Sequence, residues 1–144
     1  MHKIRVLLSL SIALASGLAF ADQKATETMA QLRAVADDVM AKVGAGDIEG
    51  GLAIMEPYTV IPTAEFQAME GQVKLQLPVL SQRFGSSLGS EFIKEVKVGD
   101  SLVAFTYLNK FDHHAMRWMF YGYHAKAGWV VDSFRFDDVT ALFQ

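Results

Sequence analysis

The 144-residue chain contains no cysteine, three prolines and no run of like charge. Without a thiol it forms no disulfide, and thiolate catalysis and sulfur-ligated metals are excluded. Because its lysines and arginines are not clustered, neither a nucleic acid nor an anionic membrane surface is expected as the main partner. Beyond Lys3 and Arg5, the chain keeps 11 of its 13 basic residues against 16 acidic ones, a formal charge of −5.

The first 21 residues indicate where the protein works. A short basic start, Met1–Arg5, precedes an apolar run, Val6–Phe20, and a small-x-small site at Ala19–Ala21. This order predicts a secretory signal peptide that is cleaved before Asp22. The run is shorter than the roughly 20 residues of a membrane span, so a retained anchor is the less favoured alternative. We expect a periplasmic or secreted protein, a single domain over residues 22–144, with no stable membrane insertion after cleavage.

Apolar side chains recur at three- and four-residue steps in the first half of this domain, which is typical of amphipathic helices. Gly44–Gly46 ends the first helix, and Pro78 inside the third predicts a kink or break near Leu77. Residues 58–61 favour a lone strand. The three expected helices cover residues 26–43, a short segment between Asp47 and Pro57, and residues from Pro62 to Phe84.

From Phe92 onward the period changes to two, which is typical of strands with one buried face. The expected strands are Phe92–Val98, Ser101–Phe111, Met116–Ala125 and Trp129–Asp137. Turn residues join them, and the turn lengths predict a register. The expected cross-strand pairs include Tyr107–Phe120, Asn109–Trp118, Gly122–Asp132, Phe120–Phe134 and Arg117–Asp137.

The order of the elements and the final segments Met116–Tyr121 and Gly128–Asp138 resemble the nuclear transport factor 2-like superfamily. That superfamily also holds the ketosteroid isomerases and SnoaL-like polyketide cyclases. The resemblance implies an α+β fold in which N-terminal helices pack on a curved antiparallel sheet. It also implies a cone-shaped pocket between the sheet and the helices.

Polar side chains on the expected core face are the candidate catalytic groups. Asp132 is expected beside His124, with open space over Gly122, so a carboxylate and an imidazole can act as a general base and its partner. If catalysis occurs, Asp132 transfers the proton and Tyr107 donates to the oxyanion. The structural alternative is that Asp132 and His124 satisfy each other at the core rim. The residues predicted to bind a ligand are Tyr107, Asn109, Trp118, Phe120, Asp132 and Phe134.

No metal site is expected. Adjacent His113 and His114 point in different directions at a turn, and His124 lies too far along the next strand to join them. The outer sheet face is unusually apolar, because it carries Leu108, Met119, Tyr121 and Tyr123. This pattern predicts a homodimer through that face, or a cover formed by residues 139–143.

Three functions are compatible with these observations. The first is an exported, non-enzymatic domain that binds a small apolar ligand or a protein partner and needs no cofactor. The second is a cofactor-free isomerase, dehydratase or cyclase that uses Asp132 with Tyr107 or His124. The third is a structural or interaction protein that works through the outer sheet face.

Overall fold

The computed structural model describes residues 23–144, and the predicted signal peptide therefore lies outside the described residues. Helix α1 (Met29–Gly44) begins after Thr28, whose hydroxyl accepts from the Gln31 backbone N–H at 3.1 Å. The Gln31 side chain accepts in return from the Thr28 N–H at 3.1 Å, which completes a capping box. Helix α2 (Ile48–Met55) begins after Asp47, as the sequence predicts.

The lone strand expected over residues 58–61 is reduced to one bridge. A 3₁₀ turn, Glu56–Tyr58, follows α2, and Thr59 then pairs in parallel with Val131. Helix α3 (Thr63–Phe84) runs without interruption through Pro78, so a break near Leu77 is wrong, whereas the alternative, a kink, stays a prediction. A proline inside a helix removes one N–H donor, which the 22-residue helix tolerates here.

The second half of the chain forms one antiparallel sheet in the order β1-β2-β3-β4. The strands are β1 (Ser87–Val98), β2 (Leu102–Phe111), β3 (Ala115–Ala125) and β4 (Gly128–Asp138). Strand β1 begins five residues before its predicted start, because Ser87 already pairs with Phe111. A 3₁₀ helix, Val139–Phe143, ends the chain. The architecture is α+β, with helices before strands, as predicted.

The register between β2 and β3 differs from the prediction by two residues. Tyr107 pairs with Trp118 rather than Phe120, because the connecting turn begins at Phe111, whose N–H donates to the His114 carbonyl at 2.8 Å. A shift of two residues keeps every side chain on its expected face, since the side-chain period of a strand is two.

A β-bulge in β4 changes the second predicted register. Phe120–Phe134 and Arg117–Asp137 pair as predicted, but Gly122 pairs with Val131 rather than Asp132. One extra residue in a strand reverses the faces of the residues beyond it. Asp132 is therefore the inserted residue, and the predicted Gly122–Asp132 pair is wrong.

Helices α1 and α2 pack on one face of the sheet, which we call the inner face. The buried contacts join Leu32, Val39 and Leu52 to Phe105 and Phe120. A Cβ atom on Gly122 would lie 2.7 Å from side-chain atoms of both Leu32 and Val103. The space expected above Gly122 is thus filled by α1. Within residues 23–144, no helix combines the length and apolar character needed to cross a bilayer.

Candidate functional site

A cavity of about 160 Å³ lies where the ends of α1 and α3 meet the ends of β1 and β2. We call it the Asn109 cavity. Its apolar walls are formed by Val43, Ile48, Leu77, Leu80 and Phe111. Within residues 23–144, no acidic, basic or histidine side chain lines it, so its interior favours a neutral, mostly apolar occupant.

Asn109 and Ser87 form the polar part of this cavity. Asn109 is 1% exposed, and its Oδ1 as placed lies 2.9 Å from Ser87 Oγ. Its Nδ2 is buried and has no hydrogen-bond partner among the described residues. Ser87 Oγ also lies 2.9 Å from the carbonyl oxygen of Gly44, the last residue of α1. A buried amide with one free end is costly, which marks this position for a functional explanation.

The close approach of α1 to β1 creates this arrangement. A Cβ atom on Gly44 would lie 2.6 Å from the backbone N of Ser90, so only glycine allows the helix end to come this near. The approach brings a free carbonyl of the helix C-terminus to Ser87. Ser87 and Asn109 then meet across neighbouring strands near one end of the sheet.

The segment Gly85–Gly89 reads Gly-x-Ser-x-Gly, with Ser87 at the central position. This pattern marks a nucleophile when a strand precedes the serine and a helix follows it. Here the order is reversed, because α3 ends at Phe84 and β1 begins at Ser87. The Ser87 hydroxyl contacts the Gly44 carbonyl and Asn109, not a histidine. Ser87 is therefore a cavity residue that the sequence reasoning missed and that this glycine-serine segment signals.

Tyr107 lies on the inner face, as predicted, but its hydroxyl donates to Asp37 of α1 at 2.6 Å. Arg33 donates to the same carboxylate oxygen at 2.9 Å, and its guanidinium carbon lies 3.3 Å from the centre of the Phe92 ring. Burial, followed by the contact with Asp37, raises the pKa of the Tyr107 phenol above its usual range. The Tyr107 hydroxyl is thus engaged in a contact between α1 and β2 that the sequence reasoning missed.

Asp132 and His124 do not form the predicted pair on the core face. Asp132 is exposed and borders a depression of about 320 Å³ that is also lined by Ala104 and Tyr121, on the face opposite α1. We call this the outer face. His124 is exposed and stacks on Trp129, with 4.9 Å between ring centres. Asp132 is the inserted residue of the bulge, and its side chain therefore lies on the opposite face of the sheet from that of Tyr107. The geometry expected for a proton-transfer site is wrong.

The predicted aromatic lining belongs to the packed interior. Trp118 and Phe120 are each 1% exposed, and Phe134 is partly buried against the Phe66 ring at 6.2 Å. Asn109 is the one predicted ligand-binding residue that lines the Asn109 cavity. Whether the other predicted residues contact a ligand stays a prediction.

The outer face carries an exposed apolar patch at the hairpin end of β1 and β2. The patch consists of four side chains that are 42–60% exposed, namely Val96, Val98, Leu102 and Tyr123. At the other end, Arg117 is buried and forms a bidentate ion pair with Asp137, at 2.7 and 2.6 Å. The 3₁₀ helix Val139–Phe143 follows β4 along the chain and contacts β3.

No group of three or more histidine or acidic side chains within residues 23–144 is arranged to hold a metal ion. His113 is exposed, and the His114 ring packs against Phe84 with 4.2 Å between ring centres. These two side chains thus have different surroundings at the turn between β2 and β3.

No protein-family model and no curated protein matches the sequence of this chain. A solved structure of an NTF2-like protein of unknown function from Shewanella baltica OS155 is similar to it, with a TM-score of 0.40 and 14% sequence identity. The match covers 77% of this chain and 96% of that chain. This chain itself has three helices followed by a four-stranded antiparallel sheet. Likeness at this level transfers no ligand, activity or residue role.

Proposed function

We propose that this protein is an exported, non-enzymatic domain that binds a small, mostly apolar molecule in the Asn109 cavity. The observation that carries the proposal is a recess with mostly apolar walls and few polar groups, among them the hydrogen-bonded side chains of Ser87 and Asn109. A few placed polar groups in an otherwise apolar recess are typical of small-molecule sites.

The size of the cavity limits the ligand. Its volume of about 160 Å³ is close to that of a cavity of about 150 Å³ that accepts benzene. A molecule with a single ring or a short chain therefore fits within the recess, whereas part of a steroid-sized ligand would extend out of it. Because no ionisable side chain of the described part of the chain lines the walls, a charged ligand loses its hydration there without finding a counter-ion.

Titration with toluene tests this proposal. In NMR spectra of the mature protein, the methyl signals of Leu77 and Leu80 should shift in a saturable way, with a Kd on the order of 1 mM. Leu80→Trp fills the cavity and should abolish the shifts. Leu75→Trp is the matched control, because Leu75 is 74% exposed on the same helix and should leave binding unchanged. Absence of a saturable shift in the unmodified protein rejects the proposal.

Export of the protein is part of the same proposal and rests on the N-terminal sequence pattern. Expressed from its full sequence in a bacterium, the protein should be recovered from the periplasm or medium with Asp22 as its first residue. Intact-mass measurement decides this. A product that retains residues 1–21 in the membrane fraction contradicts it.

A second candidate function is self-association through the outer face, supported by the exposed patch at Val96, Val98, Leu102 and Tyr123. A two-fold axis parallel to the strands places β1 of one copy over β4 of the other. We propose a second copy of this chain as the occupant of the patch.

A further inference from the structure

We infer that Met119 is a site of reversible oxidation by hydroperoxides, at which Tyr121 and Arg135 donate hydrogen bonds to the oxygen of the methionine sulfoxide that forms. The site lies on the outer face, because the two neighbours of Met119 in β3 are buried on the inner face and side chains alternate along a strand. It is separate from the Asn109 cavity and does not depend on either proposed function.

Two hydrogen-bond donors converge on the sulfur atom of Met119. The Tyr121 hydroxyl belongs to the same strand, and its oxygen lies 3.4 Å from Sδ. Arg135 is the cross-strand partner of Met119 in β4, and its Nη2 lies 3.9 Å from Sδ. Side chains two residues apart on a strand, or directly opposite each other across two strands, share one face of the sheet. The register of β3 and β4 therefore holds both donors beside the thioether.

A neighbouring carboxylate positions the Arg135 guanidinium. Its Nε lies 3.5 Å from Asp137 Oδ2, while its Nη2 faces the sulfur of Met119. Asp137 is held in turn by the buried Arg117, which donates to both of its carboxylate oxygens. These contacts do not involve the sulfur, so the donor stays in place when Met119 is oxidised.

The thioether is a poor match for these two donors. Its sulfur is only a weak acceptor, whereas a phenol and a guanidinium donate readily. Oxidation adds a polar oxygen to the sulfur, and a hydrogen bond from a charged donor to such an oxygen is about twice as strong as a neutral one. A sulfoxide in an apolar core costs stability because its oxygen lacks a partner. At Met119 the oxygen instead meets two donors that are already in place.

The oxidation itself consumes one hydroperoxide for each sulfoxide formed. A lone pair on Sδ attacks the oxygen that carries the peroxide hydrogen, so the S–O bond forms while the O–O bond breaks. The hydrogen passes as a proton to the leaving oxygen, which departs as an alcohol, or as water when the oxidant is hydrogen peroxide. Sulfur loses two electrons and the peroxide gains them. Methionine sulfoxide reductases return the sulfoxide to the thioether, which makes the modification reversible.

Peroxide treatment of the mature protein locates the modified residue. Replacement of the other partly buried methionines by leucine nearly conserves side-chain volume and leaves Met119 as the accessible sulfur. Those methionines are Met29, Met69 and Met116. In this background, peptide mass spectrometry should show the sulfoxide at Met119, which is partly exposed, and thioethers at Met40 and Met55, which are 1% and 0% exposed.

Thermal unfolding of the reduced and oxidised forms measures whether the sulfoxide oxygen has partners. Oxidation should change the Tm of this background protein by less than about 2 °C. With Tyr121→Phe and Arg135→Leu added, oxidation should lower the Tm by at least about 4 °C, because the oxygen then lacks both donors. Tyr123→Phe is the matched control, since it removes a hydroxyl from the next outward-facing position of β3 and leaves both donors in place.

Either of two results would overturn this assignment of Met119. One is a thioether at Met119 under peroxide conditions that oxidise Met116 in the unmodified protein. The other is an equal loss of Tm on oxidation with and without Tyr121 and Arg135. If the variant that lacks both donors does not fold, Tyr121→Phe alone carries the same comparison, with about half the loss expected.

Discussion

At the scale of single residues, Tyr107 couples the stability of the fold to alkaline pH. Burial and the Asp37 carboxylate raise the pKa of its phenol in the folded state above the unfolded value of about 10. A raised folded pKa gives stability that is fully present below the unfolded pKa and is lost as the pH rises through the folded pKa. The folded state of this protein should therefore weaken above about pH 10.

Tyr107→Phe tests this linkage. The variant loses the hydrogen bond to Asp37 and should be less stable by about 1 kcal/mol at pH 7, because the half-exposed carboxylate keeps Arg33 and water as partners. The difference between the variant and the unmodified protein should shrink above about pH 10. Urea unfolding from pH 7 to pH 11 measures both effects. Tyr123→Phe, at a tyrosine 42% exposed, is the control, and identical curves for both variants contradict the prediction.

Asp137 links stability to acid pH in the opposite direction. The hydrogen bonds from Arg117, which is itself buried, are the main cause that lowers the pKa of Asp137. A lowered folded pKa gives stability that is present above the unfolded value of about 3.9 and is lost as the pH falls through the folded pKa.

Asp137→Asn should therefore reduce the free energy of unfolding by about 1 to 2 kcal/mol at pH 7, since it removes the charge that compensates a buried guanidinium. Solvent screening of the partly exposed carboxylate keeps the loss in this range. The loss should diminish below about pH 4. Glu91→Gln is the control, because the exposed Glu91–Lys110 pair at 3.7 Å should change stability by less than about 0.5 kcal/mol. Equal losses of unfolding free energy in the two variants would contradict the expectation that the pair with a buried arginine contributes more than the exposed pair.

At the scale of elements, the helices follow directly from local sequence. Thr28 with Gln31 and Asp47 with Gly50 form caps within four residues, so the interactions that start α1 and α2 are local and visible in the sequence. Pro78 is the exception, because propensity predicts a break that packing at both ends of α3 overrides. Phe66 near the start and Phe84 at the end both contact aromatic rings of the sheet.

The register of β4 depends on information that alternation does not contain. The predicted strand ends pair Ala125 with Trp129, whereas Ala125 pairs with Gly128, and the extra residue of the bulge at Asp132 restores the predicted register beyond it. The aromatic pair Phe120–Phe134 and the ion pair Arg117–Asp137 lie beyond the bulge and are correctly predicted. Two correct pairs therefore did not establish the register of the residues between them and the turn.

Helix α3 should be locally less stable than α1. Of its side chains, Phe66 and Val73 are buried, and Leu75 and Val79 in its second half are 74% and 63% exposed. Few buried contacts and a missing backbone donor at Pro78 lower the free energy of local opening.

Hydrogen exchange should show this difference. Amides of residues 75–84 should exchange at least ten-fold faster than those of residues 32–43. Toluene should slow the exchange of residues 75–84, since Leu77 and Leu80 line the Asn109 cavity. Residues 63–70 of the same helix serve as an internal control and should respond less. Uniform exchange along α3 would contradict the expected difference in local stability. Exchange of residues 75–84 that toluene does not slow would contradict binding in the Asn109 cavity.

At the scale of the whole molecule, the candidate site could be predicted only in part. The sequence places Asn109 on the buried face through strand alternation. The cavity beside it exists because Gly44 allows α1 to reach β1 and because α3 ends against β2. The same kind of approach fills the space expected at Gly122, where Leu32 packs. Such distances depend on how whole elements dock, and no short segment encodes them.

The outer face provides the last prediction. If a second copy covers the patch at Val96, Leu102 and Tyr123, the mature protein should form a dimer in a concentration-dependent way in sedimentation velocity experiments. Leu102→Lys, at a position 47% exposed, should shift the equilibrium toward monomer by at least ten-fold, because it buries an unpaired charge in the contact. Leu88→Lys is the matched control, since Leu88 is 63% exposed near the other end of the sheet and should leave the equilibrium unchanged. A protein that stays monomeric at millimolar concentration contradicts self-association and leaves the Asn109 cavity as the working site.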